Sequence, residues 1–89
     1  MTTITFEKNN IYFKGHAGYG ESGSDIVCSA ISNLSRTLVS FHDEHTIVNN
    51  GKYVEISVFR VRNEYFYFVL RALLILEDEF PDYVKVVII

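Results

Sequence analysis

The sequence predicts an α+β fold: a mixed β-sheet in a single layer, covered by two helices, in the order ββαββαβ. Three observations lead there. Apolar residues alternate at period two in short runs near the start and middle of the chain, and they recur at three- and four-residue spacing over two longer stretches. The chain then closes on a run of β-branched residues, which suit a strand.

Taken in order, Ile4 and Phe6, then Ile11 and Phe13, alternate with polar neighbours, and Lys8-Asn9-Asn10 between them has turn chemistry. This predicts an opening hairpin whose second strand runs from Ile11 to Lys14. The segment from His16 to Ser24 is rich in glycine and free of large aliphatic residues, so it reads as a loop. A helix is expected from Ile26 to Phe41, with Ser24 or Asp25 able to cap it, and with Val27, Ala30, Ile31, Leu34, Leu38 and Phe41 marking the buried face. His45 to Val48 and Tyr53 to Phe59 form a second expected hairpin around Asn49-Asn50-Gly51, in which Val54, Ile56 and Val58 alternate with Glu55, Ser57 and Phe59. A second helix is expected from about Asn63 to Glu79, ending near Pro81, which cannot continue it. Phe66 to Leu70 and Ala72 to Leu76 make that helix apolar almost all round, which predicts cover on two sides, the second from another copy of the chain. Val84 to Ile89 is expected to be a strand buried on both faces. No linker, internal repeat or low-complexity segment interrupts the chain, so residues 1–89 read as one domain.

Composition narrows the function classes. The 89 residues are 48% apolar and 15% aromatic with one proline, the make-up of a folded globular chain. A formal net charge of −3 without a cluster of Lys and Arg argues against a dedicated nucleic-acid binder. The lone cysteine excludes an intramolecular disulfide, and MTTITFEKNN lacks the basic-then-apolar order of a secretory signal, so the cytoplasm is the expected compartment. The longest apolar stretch, Tyr65 to Leu76, is interrupted by Arg71 and falls short of the roughly 20 residues that span a bilayer, so no membrane span is expected.

Residues 15 to 32, GHAGYGESGSDIVCSAIS, concentrate the reactive chemistry. His16 is expected at a strand end and Cys28 in a first helical turn. Helix N-terminal amides and a nearby imidazolium both favour the thiolate form of a cysteine, and imidazole is the usual partner of a sulfur nucleophile. Helical geometry puts Asp25, Cys28 and Ser32 on a strip flanking the core face, so Cys28 is expected at the edge of the core. Asp25 either caps the helix only or also orients His16, and Ser32 is either a hydroxyl assisting near the thiol or one bonded to a helix carbonyl. The preferred role of the surrounding loop residues, Gly15, Ala17, Gly18, Tyr19, Gly20 and Gly23, is a lid over a bound peptide.

Other patterns carry less. Gly18 to Gly23 satisfy G-x-G-x-x-G, but the acidic residue some 20 positions on, Asp43, precedes a strand, and the remaining chain is too short for a doubly wound sheet. His42 and His45, with His16 and Cys28, are zinc-ligand types at poor spacing; the two later histidines read as solvated surface residues, as do Arg60 and Arg62. Neither a metal nor a cofactor is expected.

The string Gly15-His16-Ala17, Gly20, Gly23, Asp25-Ile26-Val27-Cys28, Ala30 and Ser32 resembles the ribosomal-processing cysteine proteases of bacteria, the Prp family. A second echo, Glu79-Phe80-Pro81-Asp82-Tyr83-Val84-Lys85-Val86, looks like that family's C-terminal segment. The resemblance implies a cysteine endopeptidase with His16 and Cys28 as its dyad. The implied substrate is the short N-terminal extension of a large-subunit ribosomal protein, the one called twenty-seven, and a homodimer is implied as well. Two other classes stay open on the residues alone: a non-catalytic ribosome-associated module that grips a peptide, and a thiol redox sensor, which the absence of a resolving cysteine weakens.

Overall fold

A computed structural model describes residues 1–15, 26–49 and 53–89. The elements are β1 (Thr2–Glu7), β2 (Asn10–Gly15), α1 (Ile26–Ser40), β3 (His45–Asn49), β4 (Val54–Val58), α2 (Asn63–Glu79) and β5 (Val84–Ile88), the expected ββαββαβ order. They build one mixed five-stranded sheet in the order β3-β4-β2-β1-β5.

The opening hairpin forms as the alternation dictates, with Ile4 opposite Phe13 and Phe6 opposite Ile11. Lys8 in its turn takes φ 54°, the left-handed region that reverses the chain tightly. The register then carries one face across the sheet: Phe13 lies opposite Ile56, Ile56 opposite Ile47, and Ile4 opposite Val86. Because side chains alternate along a strand, these residues point to the same side. Val27, Ile31 and Leu38 of α1 and Val69 and Leu73 of α2 join Ile4, Phe6, Ile11, Phe13, Ile56 and Val58 in a single buried cluster, so both helices cover this face. The Phe6 and Phe66 rings meet edge to face at 5.4 Å, fixing α2 against β1.

Two expectations change in detail. Phe41, placed on the buried face of the first helix, is exposed and instead stacks on Tyr65 at 5.0 Å. Ser35 takes a buried place there and answers its hydroxyl by donating to the Ser32 carbonyl oxygen at 3.2 Å. The closing run of β-branched residues is not sealed on both faces: β5 is an edge strand, parallel to β1, with Val84 buried and Ile88 exposed. A run of Val and Ile reports a strand, but its place in the sheet follows from which partners the crossover leaves available.

The first part of the β5 edge is covered by the chain itself. Thr2 N–H donates to Tyr83 O at 2.9 Å and Ile89 N–H to Phe6 O at 2.9 Å on the paired side. On the outer side Val84 N–H donates to Phe80 O at 3.1 Å, and Val86 N–H donates to the Glu77 carboxylate, Oε2, at 2.6 Å. No described helix is long and apolar enough to cross a membrane.

Candidate active site

At one end of the sheet, α1 and the strands beneath it leave a cleft of about 210 Å³. Phe13, Ile31 and Ile56 supply buried apolar wall, and Cys28, Ser32 and Arg36 come from successive turns of α1. Gly15 closes the β2 end, while Ile47 and Asn49 bring β3 to the opposite side.

Cys28 is the third residue of α1 and is half-buried, as its offset from the apolar stripe predicts. The first four amides of a helix have no acceptor inside it, and the aligned peptide dipoles put their positive end there. The sulfur therefore stands where negative charge is favoured, on the wall of an open cleft. Ser32 follows one turn later, exposed, and its Oγ accepts from Arg36 Nε at 3.3 Å. The hydroxyl is thus held by a guanidinium on the cleft wall, while the Ser32 carbonyl is engaged by Ser35.

Gly15 is needed for its backbone. It ends β2 opposite Thr2 with φ 100°, and a Cβ built there would lie 2.9 Å from the Met1 carbonyl oxygen. Only glycine takes this conformation without strain, and it does so at the last residue before His16. His16, Ala17, Gly18, Tyr19, Gly20, Gly23 and Asp25 lie outside the described residues.

The later histidines are not part of this cleft. Cys28 opens α1 and His42 follows its end, so about 20 Å of helix axis separates them. His42 also corrects an expectation: it is 7% exposed, not solvated. Its Nδ1 lies 2.9 Å from Leu38 O and its Nε2 accepts Arg62 N–H at 3.2 Å, which ties the end of α1 to the start of α2. With the carbonyl taking a proton-bearing Nδ1, both ring nitrogens are engaged. Arg62 likewise does more than face solvent, since its Nη2 donates to Phe41 O at 3.2 Å and its guanidinium lies 5.4 Å from the Tyr65 ring centre. Arg60 pairs with Glu44 at 3.4 Å in an exposed contact. Among the described residues, no group of three or more His, Cys, Asp or Glu side chains is placed to hold a metal ion.

Sequence reasoning did not single out Arg36, Ile47 or Asn49. Arg36 was within reach, because positions 28, 32 and 36 recur every four residues along one strip of a helix. The β3 residues carried no such signal: their place beside α1 comes from a crossover that sets β3 outside β4.

The family model described as cysteine protease Prp matches residues 1–85. A crystal structure of the essential ribosomal processing protease Prp from S. aureus, in complex with a covalently linked product peptide, superposes with TM-score 0.69 at 21% identity, covering 99% of this chain and 97% of that one. A protein of Streptococcus mutans of known crystal structure superposes with TM-score 0.70 at 28% identity, covering 99% of this chain and 91% of that one. No curated protein matches the chain.

Proposed function

The chain belongs to the cysteine protease Prp family, and from that premise we propose that it is an endopeptidase acting through Cys28 and His16. The observation that carries the reading is the position of the sole cysteine: half-buried, at the start of α1, on the wall of an open cleft that Gly15, the residue preceding His16, also lines.

In the proposed reaction the Cys28 thiolate attacks a peptide carbonyl carbon, and the carbonyl π electrons move to oxygen. Helix-start amides, that of Cys28 included, receive the oxyanion. As the tetrahedral species collapses, the C–N bond breaks and the His16 imidazolium gives its proton to the leaving amine. The thioester left on Cys28 is attacked by water, with His16 taking the proton, which releases the acid and restores the thiolate. Asp25 and Ser32 support the pair, and Gly15, Ala17, Gly18, Tyr19, Gly20 and Gly23 make the loop that closes over the peptide.

The substrate we assign is the N-terminal extension of the large-subunit ribosomal protein called twenty-seven, cleaved in the cytoplasm. The S. aureus neighbour, a ribosomal processing protease bound to a product peptide, supports the coarser part of this reading, a peptide substrate of ribosomal origin. We further assign a homodimer through α2, because Tyr67, Phe68 and Ile75 are exposed there, Phe68 at 68% and Ile75 at 61%.

The test is incubation of the protein with the extended ribosomal precursor, the product ends being read by mass. Cys28→Ala is expected to abolish processing, a loss on the order of 10⁴-fold or more as for other nucleophile removals, with an unchanged thermal midpoint. Full processing by Cys28→Ala would refute the assignment.

A further inference from the structure

The two edges of the sheet are treated differently. At β5 the outward N–H groups of Val84 and Val86 are occupied by Phe80 O and the Glu77 carboxylate. At the other end of the strand order stands β3, which among the described residues pairs with β4 alone. The register sets His45 opposite Val58, and so Glu44 opposite Phe59, where Phe59 N–H donates to Glu44 O at 2.9 Å. In an antiparallel pair the bonded positions alternate, so the ladder bonds fall at Thr46–Ser57 and Val48–Glu55. The N–H and C=O of His45 and Ile47 therefore turn outward, away from β4. An open row of such groups is a template for another extended chain.

That open edge borders the Cys28 cleft. The Ile47 side chain points to the α1 side of the sheet, is 51% exposed, and lines the same cavity as Cys28. We propose that the substrate polypeptide docks by adding to β3 as an extra strand, with its backbone bonded to Ile47 and every second side chain turned into the cleft. This rests on the proteolytic reading above and supplies its substrate-binding mode. The occupant is an extended, unfolded segment, because only a chain with its own backbone groups free can pair with the edge. Its inward side chains are apolar where they meet Ile47, Val54 and Ile56, three aliphatic members of the cleft wall. Selection is then divided: main-chain bonds hold any extended segment in register, and alternate side chains decide which segment brings its carbonyl to the sulfur.

The experiment uses a peptide copying the extended N-terminus of the ribosomal precursor. Amide exchange is measured on the Cys28→Ala protein with and without a saturating amount of it. The Ile47 amide is expected to slow by at least about tenfold, the equivalent of one protected hydrogen bond. In parallel, peptides carrying one N-methylated amide each are given to the unsubstituted protein, and kcat/KM is expected to fall about tenfold at every second position along the paired stretch and little between. An unprotected Ile47 amide in the saturated complex, equal losses at adjacent positions, or no binding at all would overturn strand addition. Cleavage with an unprotected Ile47 amide would remove this docking mode and leave the proteolytic reading standing. Protection at Ile47 without any cleavage by the unsubstituted protein would do the reverse.

Discussion

Gly15 stands at φ 100° with the place of a Cβ 2.9 Å from the Met1 carbonyl oxygen, so the last residue before His16 is constrained by its backbone. Gly15→Ala is expected to lower stability by roughly 1–3 kcal/mol, the usual range for a strained backbone position, read as a lower urea midpoint at constant slope. A midpoint equal to that of the parent chain would show that the strand end relaxes freely. The chemistry concentrated in residues 15 to 32 was partly open to sequence reasoning: helical spacing put Cys28 beside the apolar stripe, and it is indeed half-buried. His42 was not legible in this way. A histidine two residues past a helix end among polar neighbours reads as solvated, and only the arrival of Arg62 and Tyr65 from a distant part of the chain encloses it.

Among the elements, α1 and α2 meet at that histidine. Replacing it removes the acceptor for Arg62 N–H and a contact with the Tyr65 ring, so a half-buried amide is left without its partner. His42→Ala is expected to cost about 2–4 kcal/mol, combining that amide with the space vacated, and chemical denaturation will measure it. A loss below the error of that measurement would mean that the junction is held by packing elsewhere. Helix and strand limits were readable because their signals are local: alternation over five or six residues, a 3.6-residue stripe, Pro81 past a helix end. The rank of each strand in the sheet was not, and β5 shows why. Its sequence, VKVVI, is as apolar as many central strands, yet β1 already has β2 on its other side, so β5 takes the remaining edge.

Across the whole molecule, the two helices lie on one face of the sheet, and α2 turns Val69 and Leu73 inward while Tyr67, Phe68 and Ile75 face out. A groove of about 330 Å³ between α1 and α2, bounded by Leu34, Phe41 and Phe68, continues that exposed apolar surface. The proposed dimer through this face is expected to sediment as two chains at micromolar concentration, and Phe68→Glu is expected to shift it to one chain by burying a charge in the contact. A single-chain mass for the parent protein under those conditions would count against the dimer. Sheet edges divide in the same global way: Glu77 reaches from α2 to take the Val86 N–H of β5, and β3 is left beside the Cys28 cleft.

The order ββαββαβ, the limits of the elements and the placing of the sole cysteine in a helical first turn were determined by the sequence itself, because each depends on residues within a turn or two of one another. Which residues share the cleft with that cysteine was decided only by tertiary structure. Ile47 and Asn49 reach it through a crossover that carries the chain past β4, and no local pattern encodes how far a crossover travels.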